Sequence, residues 1–186
     1  MELLLLGLLI WASVHFSIRL APGVRQTLID RLGRWPYMGV FSLAMLGGIY
    51  CLVLGWKDLG AGAPLYVFDW ARPVSLVLMA VAASLFVAAN APTDIKRVMR
   101  HPQLTSVVLW SAAHLLSNGD LRSLVLFGGL AIWAVGEMAL INLTAGPWQK
   151  PAPFGAGKTV VSLVIGLAVF AGLYVAHPWL SGVPLN

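Results

Sequence analysis

Four side chains in this sequence can bind a metal or carry a proton near neutral pH: His15, His101, His114 and His177. Each lies within or at the end of an apolar run. There an imidazole needs a partner for both ring nitrogens, or a metal. Two of them bracket RHPQLTSVVLWSAAHLLSNGD, residues 100–120. Thirteen helical residues turn the chain by roughly 220° beyond whole turns and advance it ~20 Å, so His101 and His114 face apart and cannot share one ion. Depth separates the others. In a hydrocarbon core ~30 Å thick, His15 falls ~18 Å below one face and His114 ~12 Å below the same face. That mismatch of ~6 Å is within what helix tilt absorbs. His101 and His177 fall at opposite rims. Two imidazoles from different helices at similar depth are the donor set that a haem needs for two axial ligands.

The neighbours of these histidines suggest roles. Ser111 and Asn118 share the helical face of His114, where a serine can orient an imidazole or meet a propionate. His101 precedes Pro102, which suits the first turn of a helix, and IKRVMRHP places basic groups at head-group level. His101 is expected to be an interface anchor, or a partner for a haem propionate or an anionic lipid. The acids lie mostly in loops; Asp120 is placed to cap the helix that follows it. Glu137 is the one acid inside an apolar run, and is expected to pair with Lys96, Arg97 or Arg100. There is no H-E-x-x-H, no paired-carboxylate spacing and no Ser-His-Asp arrangement, which leaves a hydrolase reading little support. FGAGKT at 154–159 lacks the first glycine of a phosphate loop, since Ala152 stands there. The single cysteine, Cys51, excludes an intrachain disulfide framework and reads as packing.

The elements that position these residues are hydrophobic helices. Of 186 residues 59% are hydrophobic and only 10% charged, and mean hydropathy is +0.84. A soluble domain carries about a quarter charged residues. The expected fold is all-α: a polytopic membrane helix bundle in a single domain, residues 1–186. About six transmembrane helices are expected, near 3–18, 37–56, 73–90, 103–117, 121–143 and 159–176, the fourth of them short. Asn118-Gly119-Asp120 makes a tight turn between the fourth and fifth, an antiparallel hairpin. The first run has no basic leader and reads as a retained anchor. Between the first two runs, Pro22 and Gly33 bracket a short amphipathic helix lying in the interface. Nine of the twelve Lys and Arg residues lie in the 19–36, 91–103 and 144–158 gaps. The positive-inside rule then places those loops in the cytoplasm and both termini outside. Basic residues so placed point to anionic lipids rather than nucleic acid.

Two segments resemble a known family. IKRVMRHPQLTSVVLWSAAHLLSNGDLRSLVLFGG and APGVRQTLIDRLGRWPYMGVFSLAMLGGI are similar to the NnrU family of bacterial membrane proteins. The likeness is good over about residues 1–143 and looser beyond. It implies an inner-membrane protein associated with nitrite and nitric oxide reduction. The family is related to 15-cis-zeta-carotene isomerase, a haem b enzyme of polyenes. That relation implies haem b ligated at His114 and His15, with redox or isomerase chemistry and a hydrophobic small molecule as a candidate partner. The isomerase has a cysteine where this chain has Ser111, so exchange between histidine and thiolate ligands is not available here. A cofactor-free assembly or scaffold factor is the alternative, followed by a small transporter.

Overall fold

The computed structural model describes residues 1–183. The described residues form eight helices: α1 (Glu2–Leu20), α2 (Pro22–Leu32), α3 (Arg34–Leu59), α4 (Ala71–Asn90), α5 (Ile95–Val98), α6 (Pro102–Ser117), α7 (Leu121–Thr144) and α8 (Ala156–Ser181). The described residues are all-helical apart from loops, as composition requires. Five helices, α1, α3, α4, α7 and α8, are long and apolar enough to cross a membrane. The sixth expected span is α6, 16 residues long. At 1.5 Å per residue it covers about 24 Å, short of the hydrocarbon core. Leucines, valines and isoleucines are exposed along these helices, including Leu43, Val77, Ile132 and Val164. That distribution suits lipid as the solvent.

The helices fall into two compact units, residues 1–67 with 118–146, and residues 68–117 with 147–183. In the first, α1 packs against α3 and α7. The α1–α3 crossing depends on small residues. A Cβ on Gly55 would lie 2.5 Å from the Leu4 nitrogen, and one on Gly7 would lie 2.8 Å from the Gly48 carbonyl oxygen. Without water to drive association, such backbone approach is how apolar helices gain contact. The turn from α2 into α3 is one residue, Gly33, whose φ of 85° disfavours a side chain. Its N–H closes α2 on Ile29, and its carbonyl receives Tyr37 N–H, so it terminates one helix and begins the next. α2 itself buries no residue and exposes Val24, Leu28 and Leu32, as an interfacial helix must.

At the other end of this unit, α7 is capped as its sequence indicates. Asp120 accepts from Ser123 N–H at 3.0 Å and from Ser123 Oγ at 2.9 Å. Arg122, 8% exposed, donates to the Trp56 carbonyl at 3.1 Å and lies 4.0 Å over the Trp56 ring. Its Nε is 3.6 Å from Asp120. The charge is held by a carboxylate, a carbonyl and a π face, which is how a buried guanidinium is tolerated.

In the second unit, α4 packs against α6 and α8. Ser75 donates to the Ala113 carbonyl at 2.9 Å, and Ser117 donates to Ser75 at 2.8 Å, tying α4 to the end of α6. The α4–α8 approach uses Gly166, where a Cβ would lie 2.5 Å from Ser84 Cα. The start of α8 is held by a distant acid. Asp94 accepts from Phe154 N–H at 2.8 Å and Gly155 N–H at 3.1 Å, while its own N–H donates to Thr159 Oγ at 3.0 Å. Bonds to a charged acceptor contribute roughly 1.5–3 kcal/mol each. Asp94→Ala should therefore free this segment: the Phe154 and Gly155 amides should exchange with deuterium at least tenfold faster, while those of α4 stay protected. Unchanged exchange at both amides would mean that the carboxylate does not hold them.

Candidate functional site

The histidines divide between the units, and each is described within its own. In the first, His15 lies on α1 and its Nδ1 donates to the Trp11 carbonyl at 2.8 Å. That bond fixes the tautomer, leaving Nε2 with a lone pair. The ring is held in an aromatic box: Trp11 at 4.7 Å between centroids, Trp133 at 4.8 Å and Phe41 at 6.1 Å. Trp11 and Trp133 meet edge to face at 5.3 Å. Both indole Nε1 atoms are buried with no hydrogen-bond partner among the described residues, as is Glu137 Oε2, one turn beyond Trp133 on α7. Buried donors and acceptors are rarely left unmatched unless something else completes them.

In the second unit, His114 repeats this geometry. Its Nδ1 donates to the Trp110 carbonyl at 2.9 Å, with ring centroids 4.7 Å apart. WASVH at 11–15 and WSAAH at 110–114 share one spacing, with a tryptophan four residues before each histidine. Four residues is the offset at which an imidazole reaches back to the preceding turn's carbonyl. The sequence displays this signal, though apolar periodicity and depth do not single it out. One turn before His114, Ser111 is fully buried and its Oγ has no partner among the described residues.

The structure also brings a residue to His114 that depth alone did not. His177 stacks on it, with centroids 6.4 Å apart and planes 29° apart. His177 Nδ1 donates to the Val183 carbonyl at 3.0 Å, so its Nε2 is also a potential ligand atom. The sequence expectation ended the last helix at 176 and left His177 at the membrane rim. In fact α8 continues through Pro178 to Ser181, keeping His177 on the helix. His101 sits just before α6, and its carbonyl accepts from Thr105 N–H at 2.9 Å, an entry position for that helix. Asn118 follows α6 in the turn that leads to α7. No cluster of three or more His, Cys, Asp or Glu that could hold a bare metal ion occurs among the described residues.

A family model described as NnrU protein matches residues 3–185. The chain belongs to the NnrU family. Neither a curated protein nor a solved structure matches it. Membership extends over the looser tail as well as the two segments that carry the resemblance. Each NnrU unit of this chain thus presents an imidazole with a fixed tautomer beside buried polar atoms that lack partners. Within its own unit, either imidazole is of a type that can ligate a haem, whose macrocycle brings four nitrogens itself.

Proposed function

We propose that this NnrU protein is a haem b protein of the bacterial inner membrane, with His114 and His15 as axial ligands. One observation carries the reading: both rings donate Nδ1–H to a backbone carbonyl four residues earlier, which directs Nε2 to act as a ligand. Metal-binding histidines are oriented in this way, by an outer bond from the second nitrogen. Ser111 Oγ is available to hydrogen-bond a propionate or an imidazole, and the Trp11 and Trp133 indoles offer donors beside His15.

When bound, haem b supplies a one-electron centre whose potential is set by its axial ligands and surroundings. The chain's residues fix the imidazole planes, exclude water with aromatic rings and offer donors to the cofactor's polar edge. The link to nitrite and nitric oxide metabolism, and the choice of redox or isomerase chemistry, come from the family resemblance. The Lys and Arg distribution supports basic loops in the cytoplasm and termini outside.

The test is an absorption spectrum. Full-length protein purified in detergent, after expression with ample haem precursor, should carry a Soret band at about one haem per chain. Haem-free protein that still restores nitrite-dependent growth to a deletion strain would instead support the assembly-factor role.

A further inference from the structure

An open cleft of about 500 Å3 lies on the first unit, where the end of α1 meets α2 and the start of α3. Its walls are of two kinds. Ile18, Ile29 and Phe41 supply hydrocarbon, while Arg25 and Arg34 supply two guanidinium groups, with Tyr37 beside them. The Arg25 guanidinium sits 5.6 Å from the Tyr37 ring centroid, a cation–π contact that orients it. Neither arginine is paired with a carboxylate among the described residues, in contrast to Arg122, which lies against Asp120. The acid on α2, Asp30, accepts from Gln26 at 2.8 Å and does not line the cleft.

These features together select a ligand. Two exposed guanidinium groups without carboxylate partners favour an anion, and the hydrocarbon walls favour one that carries apolar chains. The cleft also borders an interfacial helix with Val24 and Leu28 exposed, so its occupant is expected to come from the membrane. We propose that it binds the head group of an anionic glycerophospholipid. The phosphodiester lies between Arg25 and Arg34, and the upper acyl chains lie along Ile18, Ile29 and Phe41. Guanidinium is the side chain best shaped for this, since its fork matches two phosphate oxygens. Basic pockets between membrane helices bind lipid head groups on the same grounds. The proposal does not depend on haem.

Native mass spectrometry of the full-length protein in detergent tests it, with equal phosphatidylglycerol and phosphatidylcholine added. Wild type should retain one phosphatidylglycerol in preference to phosphatidylcholine. Arg25→Gln with Arg34→Gln should lower that retention roughly tenfold or more. Arg31→Gln, on the same helix outside the cleft, should leave it unchanged. Arg25→Lys with Arg34→Lys keeps the charge without the fork and should fall between, which preserves the test if the glutamine variant unfolds. Equal retention of the two lipids by wild type would overturn the proposal. So would an Arg31→Gln loss as large as that of the cleft pair. Displacement of the lipid by millimolar inorganic phosphate would do the same, by revealing a site for free anions.

Discussion

His114→Ala is expected to abolish the Soret band of the purified protein. The ring is half-buried on α6 with Nδ1 donating to the Trp110 carbonyl, so truncation removes the proposed ligand atom. Losing an outer hydrogen bond to a ligand costs roughly 10–100-fold in metal affinity, and losing the ligand itself should cost more. On the proposed haem reading, His15→Ala should alter or remove the band. His177→Ala should leave it unchanged. The His177 control matters because that ring stacks on His114 at 6.4 Å and keeps its own Nε2 available. If His177→Ala removes the band while His15→Ala keeps it, the second ligand belongs to the unit that holds His114. No band in wild type would remove the cofactor altogether. Circular dichroism on each variant separates loss of ligand from loss of fold.

The largest stability effect should come from Gly55→Leu. The first added carbon would sit 2.5 Å from the Leu4 nitrogen and 2.9 Å from Leu4 Cα, and Leu4 is fully buried. Backbone cannot yield as a flexible side chain can, so α1 and α3 must separate. Overpacking of this kind costs roughly 1–3 kcal/mol or more, about 2–12 °C in unfolding temperature for a chain this size. Gly47→Leu on the same helix is the control, because its Cβ would meet nothing within 4 Å. Leucine there should be neutral or slightly stabilising, since glycine is the poorer helix former by about 1 kcal/mol. Equal melting of the two variants in detergent would show that the helices do not approach so closely.

Much of this arrangement could be read from residues whose effect is local. Pro22 and Gly33 bound α2 because one pre-sets φ and the other tolerates a positive value. Asp120 caps α7 because its carboxylate reaches an N–H three residues on. The apolar runs located every membrane-length helix, although α3 starts at Arg34 and α8 continues to Ser181, beyond the runs themselves. The four-residue α5 was not legible, since one turn has no periodicity. Contacts between distant positions were not legible either. Asp94 holds residues sixty positions later, and His177 meets His114 across a similar gap in sequence. For His177 the obstacle was also Pro178: a proline usually marks a helix end, yet here the helix runs through it. The tryptophan four places before each of His15 and His114 was in plain view, and its meaning lies in a carbonyl that sequence patterns do not display.

The interleaving of the two units has a consequence for biosynthesis. Neither unit is a continuous piece of chain: the first closes only when α7 arrives, and the second only when α8 does. A ribosome extending this polypeptide delivers α4, α5 and α6 before the first three helices receive their last partner. Until α7 arrives, the early hairpin of α1 and α3 has only lipid, α2 and its own glycine-mediated contacts around it. A chain truncated after residue 117 and released from the ribosome should hold α1 against α3 and α4 against α6, with both assemblies open on one side. Such a fragment would be the natural client of an insertase or quality-control protease.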